Sequence, residues 1–481
     1  MVTAMPIPIP RRLTLPNGLR AVLCPMPSLP AVGVSVHYDV GFRSEPEGRT
    51  GFAHLFEHLM FQGSESVDRL EHFRQVQAAG GAANGSTHQD YTDYYQVVPS
   101  AALERVLFLE ADRMRAPRLT AENLRTQLDV VKEEIRLNVL NKPYGGFPWT
   151  VLPGLLYSTF PNAHNGYGDF SDLEQATVDE CARFFDTYYA PGNAVLTIVG
   201  GFDADRAAEL VHRHFHDITA RAARPAVDLA EPFPAGELRG EHRDPHAPLP
   251  ATAIGYRLPD ARTEPAAYVA HMILGSLLTG GDDARLRRRL VHRTAAVTDV
   301  STGCGLFGPL EARDPDTFLC VATHPPQTGA DELLDVLDEE LADLADRGPG
   351  AAELARATAL SAARTHRAYD SLAALTRAMG TQELLFGRAE LAGDLADRLA
   401  AVTAEDVALA ARRLRPDRRA VLSLRPGRRA ETGSGPDRRA ESIRVPRPDG
   451  QAASAARPDQ QAEPAPRPVP AADAHPVPTG G

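Results

Sequence analysis

The stretch TVDECARFFDTYYAPGNAVLTIVG, residues 177–200, has a weaker second copy in TAEDVALAARRLRPDRRAVLSLRP, residues 403–426. Each opens on a Thr followed by acidic residues, the composition of a helix N-cap and first turn. An amphipathic helix, a proline and a strand rich in β-branched residues and leucine follow in both. The prolines, Pro191 and Pro416, lie 225 residues apart (416 − 191). Two copies of one helix–strand unit at that separation predict two similar domains, each closing on this unit. The proline-bearing stretch ARPAVDLAEPFPAGELRGEHRD, residues 223–244, falls where a linker belongs. The expected division is 1–222, a linker at 223–244, and 245–425.

Within the first copy, RLTLPNGLRAVLCPM reads as two strands joined at Pro16-Asn17-Gly18. AVGVSVHYDVG and TDYYQVVP read as further strands, while TGFAHLFEHLMFQG, SVDRLEHFRQVQAAGG, AALERVLFLEADRM and LRTQLDVVKEEIRLNVL carry the helical period. Short strands joined partly as hairpins and interleaved with longer helices give an α+β class, a mostly antiparallel sheet flanked by helices in each half. From about Pro426 to Gly481 the chain holds little but Pro, Ala, Gly, Arg and acidic residues. Such a segment buries too little apolar area to offset its ordering entropy, so a disordered tail is expected.

Composition narrows the function. Of 481 residues, 43% are hydrophobic and 24% charged, as in globular proteins, and the net charge is −12. That charge opposes non-specific binding to nucleic acid or to an anionic membrane. No apolar run reaches the roughly eighteen residues a membrane-spanning helix needs. The N-terminal MVTAMPIPIPRRLTLPNG places its arginines after the mildly apolar part, the wrong order for a secretory signal. Cys24, Cys181, Cys304 and Cys320 lack paired spacing and read as free thiols of a reducing, cytoplasmic setting.

GFAHLFEHLMF, residues 51–61, holds His54, Glu57 and His58 inside an apolar run. On a helix His54 and His58 share a face and can converge on one ion, with Glu57 beside them. The order H-x-x-E-H is the inverted form of a zinc-peptidase motif, and a third ligand must come from elsewhere in the chain. VHRHFH, with His212, His214 and His216, is a rival metal cluster, but its setting reads as a helix end where the rings fan apart. His88 and His164 have no partner spacing and read as structural or surface residues.

With VVKEEIRLN and NGSTHQDYTDYY added, the sequence resembles the pitrilysin and insulin-degrading metallopeptidases, in the branch of the mitochondrial processing peptidase and its bacterial relatives. NKPYGGFPW and the stretch running into residues 177–200 extend the likeness, strong in the first half and loose in the second. The resemblance implies that the third zinc ligand is Glu134, 76 positions past His58 (134 − 58), with Glu133 as the alternative. Adjacent helical residues point about 100° apart, so only one of these two can face the ion. It further implies that Asn84, near an edge strand, touches bound peptide. Zn2+ held by His54, His58 and Glu134 would lower the pKa of water, and Glu57 would act as general base in peptide hydrolysis. Extended peptides added to a sheet edge are the implied substrates.

Two positions depart from the family pattern. Gln127 stands where many relatives carry an acid two turns before the third ligand. Where active full-length relatives hold a substrate-binding arginine and tyrosine, LVHRTAAVTDV has Val291 and Thr298. Arg285, Arg287, Arg288, Arg289 and Arg293 nearby read as a basic helix face. Two-subunit members divide these features between a zinc chain and a partner lacking the zinc motif. The expectation is therefore a catalytic subunit of a heterodimer with such a homologous partner. A dedicated processing peptidase for a leader or precursor peptide, and a non-catalytic peptide-binding scaffold, are the competing readings.

Overall fold

A computed structural model describes residues 7–427. Apart from its first two residues, the tail expected over 426–481 lies outside the described residues. The first half runs β1 (Arg11–Thr14), β2 (Arg20–Pro25), β3 (Ala31–Tyr38), α1 (Phe52–Leu59), α2 (Glu71–Ala78), β4 (Ala82–Thr87) and β5 (Thr92–Pro99). It continues through α3 (Leu103–Arg115), α4 (Ala121–Ile135), three short helices α5 (Leu152–Leu156), α6 (Phe160–Ala163) and α7 (Phe170–Glu174), then α8 (Val178–Tyr188), β6 (Ala194–Gly200) and α9 (Ala204–Phe215). The second half runs β7 (Leu238–Asp244), β8 (Ala251–Arg257), α10 (Pro265–Thr279), β9 (Asp299–Cys304) and β10 (Thr317–Thr323). Helices α11 (Ala330–Arg347), α12 (Ala351–Tyr369), α13 (Leu372–Phe386), α14 (Leu391–Ala400) and α15 (Ala404–Arg413) lead to the last strand, β11 (Arg419–Pro426).

The duplicated stretch forms the same unit twice. Thr177 and Thr403 each accept a hydrogen bond from the backbone N–H three residues on, and Glu180 and Asp406 bond back to complete capping boxes. A 3-10 turn follows at Pro191–Asn193 and at Pro416–Arg418, and each then enters a strand. Strand β6 lies parallel to β2 and antiparallel to β3, and β11 lies parallel to β7 and antiparallel to β8. The sheets are ordered β1-β2-β6-β3-β5-β4 and β7-β11-β8-β10-β9, mostly antiparallel, as the sequence predicts.

Leu238–Asp244, expected in the linker, instead forms β7. Its sequence LRGEHRD has no apolar alternation, because β7 is an edge strand that among the described residues pairs only with β11. Helix α1 ends at Leu59 rather than at Gly63, whose φ of +100° serves the turn beyond it. Helix α2 starts at Glu71, five residues later than SVDRL suggests.

Each sheet has one face covered by helices of its own half. The other face is covered by the opposite half. Leu375, Met379, Leu384 and Leu385 of α13 pack on Val22, Cys24, Val195 and Val199 of the first sheet. In exchange, Phe147, Leu152, Leu156 and Tyr157 pack on Ala253, Ala420 and Leu422 of the second. Each buried Leu, Val, Met or Phe side chain among these contributes about 1.5–3 kcal/mol. The approach is close: a β-carbon on Gly33 would sit 2.2 Å from Thr376 Oγ1, and one on Gly380 2.4 Å from His37. A bidentate pair reinforces it, the half-buried Arg377 of α13 bonding both oxygens of the fully buried Asp93 of β5 at 2.6 and 3.2 Å. The four cysteines are buried and unpaired, and among the described residues no helix is long and apolar enough to cross a membrane.

Candidate metal centre

Helix α1 buries Phe52, Ala53, Leu55, Phe56 and Leu59 and turns His54, Glu57 and His58 to its other face. Its N-terminus is capped from a distance. The Glu45 carboxylate accepts from the backbone N–H of Gly51 at 2.9 Å and Ala53 at 2.7 Å, and His164 Nε2 sits 3.1 Å from the same carboxylate. His164 is thus a structural residue, and a half-buried one. Gly51 precedes the helix at φ +81° with the Tyr167 carbonyl against it, a place closed to any side chain.

Helix α4 lies against α1. Thr120 caps it through Asn123 N, and Leu124, Gln127, Val131 and Ile135 form its buried face. This phase sends Glu134 toward the histidines and Glu133 outward to Arg136, 3.2 Å away. A π-helical turn, Arg136–Leu140, follows immediately. Such turns gather at functional sites.

His54 Nε2 lies 3.7 Å from Glu134 Oε1, and His58 Nε2 lies 3.4 Å from Glu134 Oε2. One ligand atom from each of the three residues falls within 4.8 Å of the others. Tetrahedral zinc with bonds of about 2.0–2.1 Å requires neighbouring ligand atoms about 3.4 Å apart. The donors, two imidazoles and a carboxylate, match a zinc site that keeps one position open. Burial pushes His54 down to about 4, so it is a neutral imidazole at pH 7. For His58, burial acts downward but the adjoining Glu134 and Glu57 outweigh it and hold the ring above its ordinary value. The hydrogen bond from His58 lowers Glu134. Gln127, without a charge, still adds a small upward pull on His58.

Glu57 stays out of this cluster. Burial raises its carboxyl to about 7. Its Oε2 accepts the Thr87 hydroxyl at 2.7 Å, from edge strand β4. Thr87 was not among the residues the sequence singles out; its only signal is its place in NGSTHQDY, whose strand carries no apolar alternation. Tyr167 was missed as well, and its ring meets His54 edge-on at 5.3 Å. Asn84 is exposed on β4, its Oδ1 accepting from Gly85 N at 2.9 Å. Among the described residues β4 is the last strand of its sheet, with no strand paired to its outer edge.

The rival sites fall apart. His212 and His216 stack on each other at the exposed end of α9, and His214 turns toward Phe108. Among the described residues only His54, His58 and Glu134 form a group that can hold a metal ion. His88 is buried, bonded to Ser86 at 2.9 Å and stacked on Tyr91. In the second half Val291 packs against the core, and Thr298 bonds the Thr323 carbonyl. Arg285 is buried among Glu340, Asp343 and Glu353, Arg287 pairs with Asp299, and Arg289 with Glu339 and Glu340. These arginines are held within their own half.

Residues 21–143, which include every residue of the cluster, match a family model described as insulinase, peptidase family M16. Residues 175–360 match the model of the peptidase M16 inactive domain. The zinc protease PqqE of Helicobacter pylori is 28% identical over 330 residues, covering 68% of this chain and 72% of that protein. An uncharacterized zinc protease of Streptomyces coelicolor is 25% identical over 417 residues, covering 84% of this chain and 86% of that one. The crystal structure of a protease from Helicobacter pylori shares the fold, with a TM-score of 0.79 at 24% identity over 88% of this chain and 100% of that one. With both halves matched and the fold in common, the chain belongs to peptidase family M16.

Proposed function

We propose that this protein is a zinc metalloendopeptidase that hydrolyses extended peptides, with His54, His58 and Glu134 holding the metal and Glu57 as general base. The observation that carries this reading is the convergence of two imidazoles and Glu134 beside a carboxylate that takes no part in the cluster. When bound, zinc supplies Lewis-acid polarisation and makes water acidic near neutral pH. Glu57 takes a proton from the attacking water and delivers it to the leaving amine nitrogen. Its carboxyl, raised to about 7, is matched to a base that must also give the proton back. The free edge of β4 accepts an extended segment by strand addition, which favours unfolded peptides over folded proteins.

The chain acts as the catalytic subunit of a heterodimer. Val291 and Thr298 cannot supply a charged or phenolic contact, and Arg285, Arg287 and Arg289 are engaged in their own half. A homologous partner lacking the zinc motif supplies those contacts. The test is to purify the tagged chain from its native host with whatever accompanies it, and to follow cleavage of an internally quenched peptide. Cleavage stopped by a zinc chelator and restored by zinc supports the reading. Cleavage indifferent to the chelator contradicts it, and full activity of the isolated chain contradicts the partner.

A further inference from the structure

We propose that Thr87 is a positioning residue that fixes the Glu57 carboxylate for proton transfer. This rests on the reading of Glu57 as base. Strand register places Gly85 and Thr87 on one face of β4, opposite Tyr94 and Thr92 of β5. Glu57 lies against that face at both oxygens. The Thr87 hydroxyl donates to Oε2 at 2.7 Å, while Oε1 lies over Gly85, where a β-carbon would come within 3.2 Å of it. The same β-carbon would lie 3.2 Å from the rings of Phe61 and Tyr94, so the notch is walled by side chains as well.

A carboxylate on a helix side chain has free torsions. One hydroxyl bond on one oxygen and a notch for the other remove most of that freedom.

The strand holding Thr87 is itself pinned from its other face. Ser86 hydrogen-bonds Asp93, and Arg377 donates to Ser86 Oγ at 2.6 Å. An edge strand with a single sheet partner is thereby anchored to α13. The strand expected to receive the peptide and the strand that aims the base are one and the same. A peptide paired along β4 is therefore delivered in register with the carboxylate.

The experiment compares Thr87→Val and Thr87→Ser in the zinc-loaded protein purified with its associated chains. Losing a hydrogen bond to a charged group predicts that Thr87→Val lowers kcat about 10- to 100-fold while KM shifts less than about twofold. Zinc content stays at the wild-type level, and Thr87→Ser, which keeps the hydroxyl, restores kcat. Crystal structures of the two zinc-loaded variants supply a readout apart from activity: Glu57 leaves the Gly85 notch in Thr87→Val and keeps it in Thr87→Ser. A wild-type kcat in Thr87→Val overturns the proposal, as does a loss confined to KM or to zinc content, or a Glu57 that does not move. If the wild-type protein cleaves no peptide, the peptidase reading fails, while the position of Glu57 in the two structures still decides the role of Thr87.

Discussion

Replacing Arg377 by Met isolates the charged contact that reinforces the packing of α13 on the first sheet. The Asp93 carboxylate is fully buried; burial alone would raise it, but the facing cationic groups hold it below its ordinary value. Of these, His37 is pushed down to about 4 by burial and is neutral at pH 7, so Arg377 is the operative cation. Methionine preserves apolar cover over the Tyr95 ring, whose centroid lies 4.6 Å from the guanidinium carbon, and removes only the charge and its donors. Breaking a buried pair from one side typically costs about 3–5 kcal/mol, because the remaining charge is stranded. Urea unfolding at pH 7 should therefore show a loss toward the lower end of that range for Arg377→Met, since the guanidinium is only half-buried and Ser86 still donates to Asp93. Without Arg377 the Asp93 carboxyl is raised by burial above its unfolded value, so the variant's deficit is full near pH 7 and shrinks on acidification, as the native state takes up the proton. The double variant Asp93→Asn, Arg377→Met should recover a substantial part of the loss. A single variant losing less than about 1 kcal/mol, in the range of an exposed pair, would refute the reasoning. So would a double variant no more stable than the single one.

Two further expectations concern the metal centre. Glu134→Gln should lose zinc on purification, by more than the roughly 10–100-fold that removal of a supporting hydrogen bond costs, while Glu133→Gln keeps it; equal zinc in both variants, measured by atomic emission, would remove Glu134 from the ligand set. Glu57 must be ionised to act as base, and burial raises its carboxyl to about 7, so kcat/KM should fall as pH drops through this region. A bound cation lowers a neighbouring carboxyl, which places the inflection at or below 7; a rate that rises between pH 7 and pH 5 would contradict the assignment.

Much of this architecture is legible in the chain. The duplicated stretch at 177–200 and 403–426 carries its own caps, turn and strand, so local chemistry alone specifies both units. The polar face of α1 is similarly local, since i and i+4 set His54 and His58 side by side. Glu134 is harder. The resemblance implies it over Glu133, and the buried phase of α4, which Leu124, Val131 and Ile135 define, turns it toward the histidines. What escapes a linear reading are contacts made across hundreds of residues. Arg377 and Asp93 are 284 positions apart, and nothing in α13 announces that it will cover the first sheet. That helix buries residues on most of its circumference, so no single apolar stripe signals its partner. Strand β4 is hidden for a different reason. Ala82–Thr87 is AANGST, small and polar, because an edge strand beside a site needs room and hydroxyls more than apolar bulk. Thr87 escapes notice for the same reason.

The central claim is that Glu57 moves protons and holds no metal. Its most direct measurement is zinc stoichiometry alongside peptide cleavage for Glu57→Gln, purified with its associated chains. The expected result is about one zinc per catalytic chain, as in the wild type, with cleavage abolished. Loss of the zinc, or cleavage at the wild-type rate with the zinc in place, would contradict it.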